Sequence, residues 1–195
     1  SVELTIRQIS GLAAGLRQAV SISDFGQARG KCQGGPDGEG SRSGSMDRRR
    51  SIDLEAAVYG RLPLMISEYC PVGCIEGGFD GTAKCSGCCG KGVYALRDRL
   101  GVEFPVLCDN VDCRSTILNS KALFVPGSLG SLAEAGIGIF RLYIWDEDDD
   151  TVKELVRLYR SNLTGNGGDD GTDFVRLTEK IKAAGFTKGH YYRGV

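Results

Sequence analysis

Hydrophobic and polar positions change period several times along the chain, and these changes predict its elements. Apolar residues recur at helical spacing through Val2–Arg17, which predicts a helix. Leu54–Tyr59 and Leu62–Ser67 are short apolar runs that predict strands, and Pro63 favours a strand start or an edge position for the second of them. Between the helix and these strands, Ser21–Arg50 has no period and is rich in Gly, Ser and charge, which predicts a disordered segment or a surface insertion.

The middle of the chain predicts several short elements. Strands are expected at Phe104–Asp109, Arg114–Leu118 and Lys121–Val125, and a short amphipathic piece at Tyr94–Arg99. A short helix is expected at Leu129–Ala135, ended by Gly136.

The last third contains the clearest strand-then-helix pattern. Ile139–Trp145 predicts a buried strand, and Val152–Leu163 predicts a helix with Val152, Leu155, Val156 and Tyr159 on one face. The acidic run Asp146–Asp150 suits a helix start, where negative charge meets the positive end of the helix dipole, although it could also bind a divalent cation. Thr151 and Glu154 predict a capping box at the start of this helix.

A final helix is expected at Asp173–Ala184, ended by Gly185. Strands that alternate with helices favour an α/β layer with mainly parallel strands. The predicted organisation is a helical start of a βα unit at 1–20, a disordered or surface insertion at 21–50, and a domain with a Cys-rich site at 51–195.

Composition narrows the possible partners. The net charge of −1 gives no overall attraction for nucleic acid or membrane, although a local groove could still bind RNA. No apolar run approaches the roughly 20 residues of a membrane span, and the first residues lack a signal-peptide pattern, so we expect no membrane and a cytoplasmic location.

Seven of the eight cysteines lie between Cys70 and Cys113, in the spacing C-x3-C-x10-C-x2-C-C-x18-C-x4-C. Such a group predicts either disulfides or a soft-metal site. The adjacent pair Cys88 and Cys89 and the lack of a secretory signal favour metal. Only Cys85-x2-Cys88 resembles a zinc knuckle, whereas an iron–sulfur cluster tolerates irregular spacing, so a cluster is favoured and zinc stays open as the alternative.

Nucleophilic catalysis has few candidate residues. His190 is the only histidine, so any Cys–His or Ser–His pair would have to use it. Its neighbours Tyr191, Tyr192 and Arg193 could contact an anionic or aromatic ligand, and the alternative is that His190 is structural or simply exposed.

Four stretches of the chain together resemble the collagenase-like peptidases of family U, number thirty-two. The resemblance covers most of Val2–Arg17 and Leu54–Val195. The stretches that carry it are GRLPLMISEYCPVGC (Gly60–Cys74), CSGCCGKGVYALRDR (Cys85–Arg99), FPVLCDNVDCRSTILNSKALF (Phe104–Phe124) and GHYYRGV (Gly189–Val195).

This resemblance implies an α/β fold, a partial TIM-barrel-like (β/α) domain with a Cys-rich loop region. The chain resembles the C-terminal half of the family's catalytic domain, so the missing N-terminal half of the barrel is an implied partner. Several branches of the family are iron–sulfur enzymes that hydroxylate tRNA or ribosomal RNA bases, or ubiquinone precursors, without molecular oxygen.

The resemblance also implies ligands for a four-iron, four-sulfur cluster. They are Cys70, Cys85, Cys89 and Cys113, with Cys88 as an alternative to Cys89, whereas Cys74 and Cys108 are implied to be extra thiols.

We therefore expect an iron–sulfur-dependent hydroxylase of RNA bases or of a small aromatic substrate. Arg114, Asn119 and His190 are the candidates for orienting that substrate. The alternatives are a metal-dependent peptidase and a catalytically inert fragment with a structural Cys–metal site.

Overall fold

The computed structural model describes residues 4–27, 53–79, 85–164 and 172–192. Most of the predicted insertion, including Cys32, lies outside these residues. The helices are α1 Ile6–Gln27, α2 Pro71–Ile75, α3 Leu129–Glu134, α4 Asp149–Thr164 and α5 Thr172–Ala184. The strands are β1 Leu54–Gly60, β2 Pro63–Ser67, β3 Tyr94–Arg97, β4 Glu103–Cys108, β5 Ser115–Leu118, β6 Ala122–Phe124, β7 Ile137–Leu142 and β8 Phe186–Thr187.

The fold is mixed α/β with two open sheets, and neither sheet closes into a barrel within the described residues. One sheet has the strand order β7-β1-β6-β8 and the other β2-β5-β4-β3. β1 pairs with β6, β2 with β5, β3 with β4 and β4 with β5 antiparallel, and β6 pairs with β8 parallel. The expectation of mainly parallel strands is therefore wrong for these pairings. Short connections such as the one from β3 to β4 allow hairpins, whereas a parallel pair needs a long crossover.

The chain divides into two compact units. The first consists of Ser1–Ala56, Ser128–Phe140 and Gly189–Val195. In this unit α1 packs near α3, and a side chain at Gly136 would lie 2.8 Å from Cβ of Ala13. Gly136 has a φ of +104°, so it both ends the α3 segment, as predicted, and lets the backbones approach closely.

The second unit consists of Ala57–Gly127 and Arg141–Lys188. It contains a group of four rings in contact, here called the aromatic core: Tyr59, Phe124, Tyr159 and Phe186. The three rings around Phe124 meet it edge to face, with centroids 5.8–6.4 Å apart. The Tyr159 hydroxyl donates a 2.6 Å hydrogen bond to the carbonyl of Val58, so this ring is anchored as well as packed.

Several elements differ from the predicted ones. Helix α1 continues to Gln27 and crosses the predicted boundary at residue 20. β7 is mostly exposed rather than buried, because an apolar run does not show which of its faces is covered. The start of α4 is capped by Asp148, whose carboxylate accepts from the Thr151 backbone nitrogen at 2.8 Å and from its hydroxyl at 3.0 Å. The predicted Thr151–Glu154 capping box is therefore wrong, since the side chain of Thr151 already bonds to Asp148.

Other predictions are confirmed. β2, which begins at Pro63, is an edge strand. Leu155 and Tyr159 of α4 are buried, although Val156 on the predicted face is partly exposed. Among the described helices, none has both the length and the apolar composition needed to cross a membrane.

Candidate metal centre

Cys70 stands at the start of α2 and positions the first thiol. The sequence Cys-Pro begins the helix because Pro suits the first helical turn, where its missing N–H is not needed. The Cys70 sulfur accepts a 3.2 Å hydrogen bond from the backbone nitrogen of Gly73, so it caps α2. This capping hydrogen bond therefore holds the Cys70 sulfur at the start of α2.

Cys85 brings a second sulfur to the same place. Its Sγ and that of Cys70 each lie 3.4 Å from the position that a Cβ would take at Gly73. A Cβ at Gly77 would lie only 2.7 Å from the Cys85 sulfur and 2.6 Å from the carbonyl oxygen of Gly73. Gly77 therefore leaves space that a side chain would take from the Cys85 sulfur, whereas a Cβ at Gly73 would make only ordinary van der Waals contacts with the two sulfurs.

Cys88 and Cys89 enter from a 3-10 turn, Cys88–Gly90. Cys88 is buried, and its thiol donates a 3.5 Å hydrogen bond to the carbonyl of Val72. The Tyr94 hydroxyl donates a 2.9 Å hydrogen bond to the carbonyl of Cys88, which ties this turn to β3. Burial raises the pKa of the Cys88 thiol, and the neighbouring Cys85 raises it further.

Cys108, the last residue of β4, is the fifth member of the group. It lies opposite Ser115 of β5, with its sulfur 3.9 Å from the Ser115 hydroxyl oxygen. Burial raises the pKa of the Cys108 thiol; the Ser115 hydroxyl lowers it, and the Cys70 thiol raises it. Ser115 is itself fully buried, whereas Cys108 is partly buried at this end of the sheet.

We call these five residues the thiol cluster: Cys70, Cys85, Cys88, Cys89 and Cys108. All are free thiols, which removes a disulfide framework among the described cysteines. Cys70, Cys89 and Cys108 pack against the buried residues Val72, Cys88, Val106 and Ile117.

The thiol cluster fits a soft metal by its chemistry but does not form a finished ligand set. Thiolate sulfur is the preferred donor for zinc and for iron–sulfur clusters. Within the described segments, however, no three His, Cys, Asp or Glu side chains are arranged so that they could hold a metal ion. The sulfurs would therefore have to move closer together when a metal binds, and the protonated thiols would have to release protons.

Cys113 is not a member of the thiol cluster. It is exposed, and its backbone has a φ of 55°, in the left-handed region that residues other than glycine rarely adopt. It belongs to the turn between β4 and β5, where the backbone nitrogen of Asp109 donates to the carbonyl of Arg114 at 2.8 Å. The ligand role that the resemblance implies for Cys113 stays a prediction.

The three candidates for substrate orientation lie at different places. Arg114 is exposed and forms an ion pair with Glu68 at 3.1 Å. Asn119 is partly buried, and its side-chain oxygen accepts a 3.2 Å hydrogen bond from the backbone nitrogen of Lys121. His190 is exposed and belongs to the other compact unit. Their proposed roles also stay predictions.

Sequence reasoning did not place Cys108 beside the other thiols, and its role as an extra thiol is not tested by this packing. A signal was present, because side chains two residues apart on a strand share a face. In Phe104–Cys108 that rule places Cys108 on the side of Val106, which is buried in the apolar group beneath the thiols. Cysteine spacing alone carried no such information.

A cavity of about 280 Å³ lies elsewhere in the second unit, lined by polar residues on one side. Its polar groups are largely bonded to one another. The Tyr59 hydroxyl donates to Glu147 at 2.7 Å, and the Lys180 ammonium lies 3.3 Å from the hydroxyl of Thr151 and 3.8 Å from the carboxylate of Asp148. Asp148 thus caps the start of α4 here, as the helix-capping interpretation of the acidic run expects, whereas Glu147 bonds to Tyr59 and Trp145.

Comparisons with known proteins leave the family open. A scan against protein-family models, a search of curated proteins and a search of solved structures each found no match to this chain.

Proposed function

We propose that the thiol cluster binds an iron–sulfur cluster and that the chain is the metal-bearing part of a hydroxylase acting on RNA bases or on a related aromatic substrate. The observation that carries the metal site is the gathering of five free thiols around α2 and the end of β4. The substrate class comes from the family resemblance.

The donor set supports iron–sulfur chemistry because it consists of cysteine sulfur. Four cysteines suffice for a four-iron, four-sulfur cluster. Cys70 and Cys85 would contribute two ligands, and the turn at Cys88–Gly90 would contribute a third. A bound cluster would supply one-electron chemistry, and the protein would supply its position, its partly apolar surroundings and the hydrogen bonds to its sulfurs.

Substrate would be positioned by Arg114, one of the three candidates for substrate orientation. Arg114 follows directly after Cys113, and its guanidinium is exposed and paired only at the surface with Glu68 and Asp112. A phosphate of an RNA substrate could compete with these carboxylates for the guanidinium, since Arg binds phosphate strongly. Under the proposal Arg114 therefore binds substrate and does not react with it.

The barrel-like domain belongs to the same proposal. Both sheets are open, and Leu64, Met65 and Ile66 of the edge strand β2 are 53–67% exposed. An edge with exposed apolar side chains is a surface that further strands can cover. A partner that supplies the N-terminal half of the barrel would do so.

A structural Cys–metal site is the second candidate, and one observation favours it. Cys88 is buried among Val72, Val106 and Ile117, where it acts as a small apolar side chain. Zinc held by four thiolates next to such a core would stabilise the fold without chemistry. In a metal-dependent peptidase, a metal held by the same thiols would activate the attacking water.

Metal analysis of anaerobically purified protein tests the proposal. We expect iron and acid-labile sulfide in about equal amounts, close to four of each per chain, and the broad charge-transfer absorbance of a cluster. Colourless protein with one zinc ion would support the structural site instead. Protein that takes up neither iron with sulfide nor zinc would contradict both.

A further inference from the structure

We propose that Cys108, rather than Cys113, is the fourth cysteine ligand of the centre, together with Cys70, Cys85 and Cys89. The inference rests on the proposed function, because it assumes that the thiol cluster holds a metal. It concerns a residue that the family resemblance leaves as an extra thiol.

The packing of the second unit supports this choice. Cys108, Cys70 and Cys89 contact one and the same apolar group, formed by Val72, Cys88, Val106 and Ile117. Three cysteines that pack on one small patch of core are the set we assign to a common metal, whose binding would have to bring their sulfurs closer together. Cys85 joins them through its position beside Cys70 at Gly73.

The backbone also holds Cys108 more firmly than Cys113. Cys108 ends β4 in register with Ser115, inside a sheet in which β4 pairs on both sides. A site built on a strand keeps its ligand geometry better than one built on a loop. Cys113 lies in the exposed turn beyond this register, with Asp112 and Arg114 on either side forming an ion pair at the surface.

The same reasoning assigns different roles to the adjacent cysteines Cys88 and Cys89. The Cys88 thiol is buried and donates to the carbonyl of Val72, so it already has a partner within the core. Cys89 is only partly buried and packs on the outside of that core. Cys88 is therefore assigned to packing and Cys89 to the metal.

Two matched variants test the assignment. Cys108→Ser and Cys113→Ser are each reconstituted anaerobically with ferrous iron and sulfide, and separately titrated with Co²⁺, which reports thiolate ligation by its absorbance. We expect Cys113→Ser to take up as much iron, sulfide and Co²⁺ as the unchanged protein, and Cys108→Ser to lose most of each. Retention by Cys108→Ser together with loss by Cys113→Ser overturns the assignment, and so does equal loss by both.

A second measurement avoids variants that fail to fold. The unchanged protein is alkylated with N-ethylmaleimide, with and without bound Cd²⁺, and each cysteine peptide is followed by mass spectrometry. The metal should protect Cys108 and leave the alkylation rate of Cys113 unchanged; the reverse pattern overturns the proposal. Unchanged protein that binds none of the iron, Co²⁺ and Cd²⁺ overturns the metal site itself, an outcome distinct from protection of Cys113 alone.

Discussion

The aromatic core and the thiol cluster lie in the same compact unit, yet their side chains differ in how closely they contact their partners. In the aromatic core Phe124 is surrounded by rings in edge-to-face contact, and the Tyr159 hydroxyl bonds to a backbone carbonyl at 2.6 Å. In the thiol cluster the sulfurs contact donors and acceptors at 3.2–3.9 Å, and most of them are only partly buried.

This difference indicates where a ligand can contribute stability. Close-packed rings gain dispersion and hydrophobic energy from one another, so the aromatic core is stabilised by contacts within the chain and needs no ligand. Hydrogen bonds to thiols are weak, and small side chains beside glycines bury little apolar surface. A metal that binds the folded thiol cluster would therefore stabilise that region directly.

Replacing a glycine by alanine adds one methyl group, and we expect this change to have different consequences in the two regions. Gly60→Ala should have the largest effect, because the new Cβ would lie 2.0 Å from the carbonyl oxygen of Tyr143. Gly60 also has a φ of +104°, which side chains rarely adopt. Strain and overpacking together should lower the free energy of unfolding by about 3–5 kcal/mol, measured by urea denaturation.

Gly101→Ala is the control for that change. Gly101 has a φ of +82°, but a Cβ there would meet nothing within 4 Å. It should therefore show the strain without the clash and lose only about 1 kcal/mol. Equal losses at the two positions would show that close approach to Tyr143 is not what Gly60 provides.

Gly77→Ala is the matching change in the thiol cluster. The added Cβ would press on the Cys85 sulfur and on the carbonyl oxygen of Gly73, which should cost about 1–3 kcal/mol. Its main expected effect is a lower metal content, because the sulfurs of Cys85 and Cys70 are pushed apart. Iron and zinc analysis beside urea denaturation separates the two effects.

Gly90→Ala serves as the control in this region, since a Cβ at Gly90 would have open space around it. It should keep both its stability and its metal content. If Gly77→Ala also kept its full metal content while losing stability, the glycine would be a packing residue only, and the thiol cluster would resemble the aromatic core more than we propose.

The sequence predicted most elements of the fold because their apolar periods are local. Leu54–Tyr59 and Asp173–Ala184 lie within a residue or two of β1 and α5. Strand direction and the burial of β7 were not predictable in the same way, because both depend on partners distant along the chain. Asp148 replaced the predicted cap for a related reason: several carboxylates precede α4, and only the folded turn selects one of them.

The sequence could predict that the candidate site consists of thiols, but not which cysteines belong to it. The density of cysteines indicated a thiol site, and the structure gathers five of them. Cys108 and Cys113 are close in sequence, so spacing could not distinguish them, whereas the strand face of Val106 and the exposed turn do. Residue spacing reports distance along the chain, and ligand sets depend on which side of a strand each sulfur occupies.

We expect the smallest effect from changing the cap of α4, the helix that carries Tyr159 of the aromatic core. Hydrogen bonds from the Thr151 backbone nitrogen and then from its hydroxyl hold the pKa of Asp148 below its ordinary value. A carboxyl whose pKa is lower in the folded state stabilises the fold above its unfolded pKa of about 3.9, and this contribution is lost as the pH falls through the folded value. Asp148→Asn should keep the cap by its amide oxygen but flatten the acid dependence of the urea midpoint below about pH 4. Asp150→Asn, which removes an exposed first-turn carboxylate paired with Lys153, should retain that dependence. An acid dependence of Asp148→Asn as steep as that of the unchanged protein would assign it to other carboxylates.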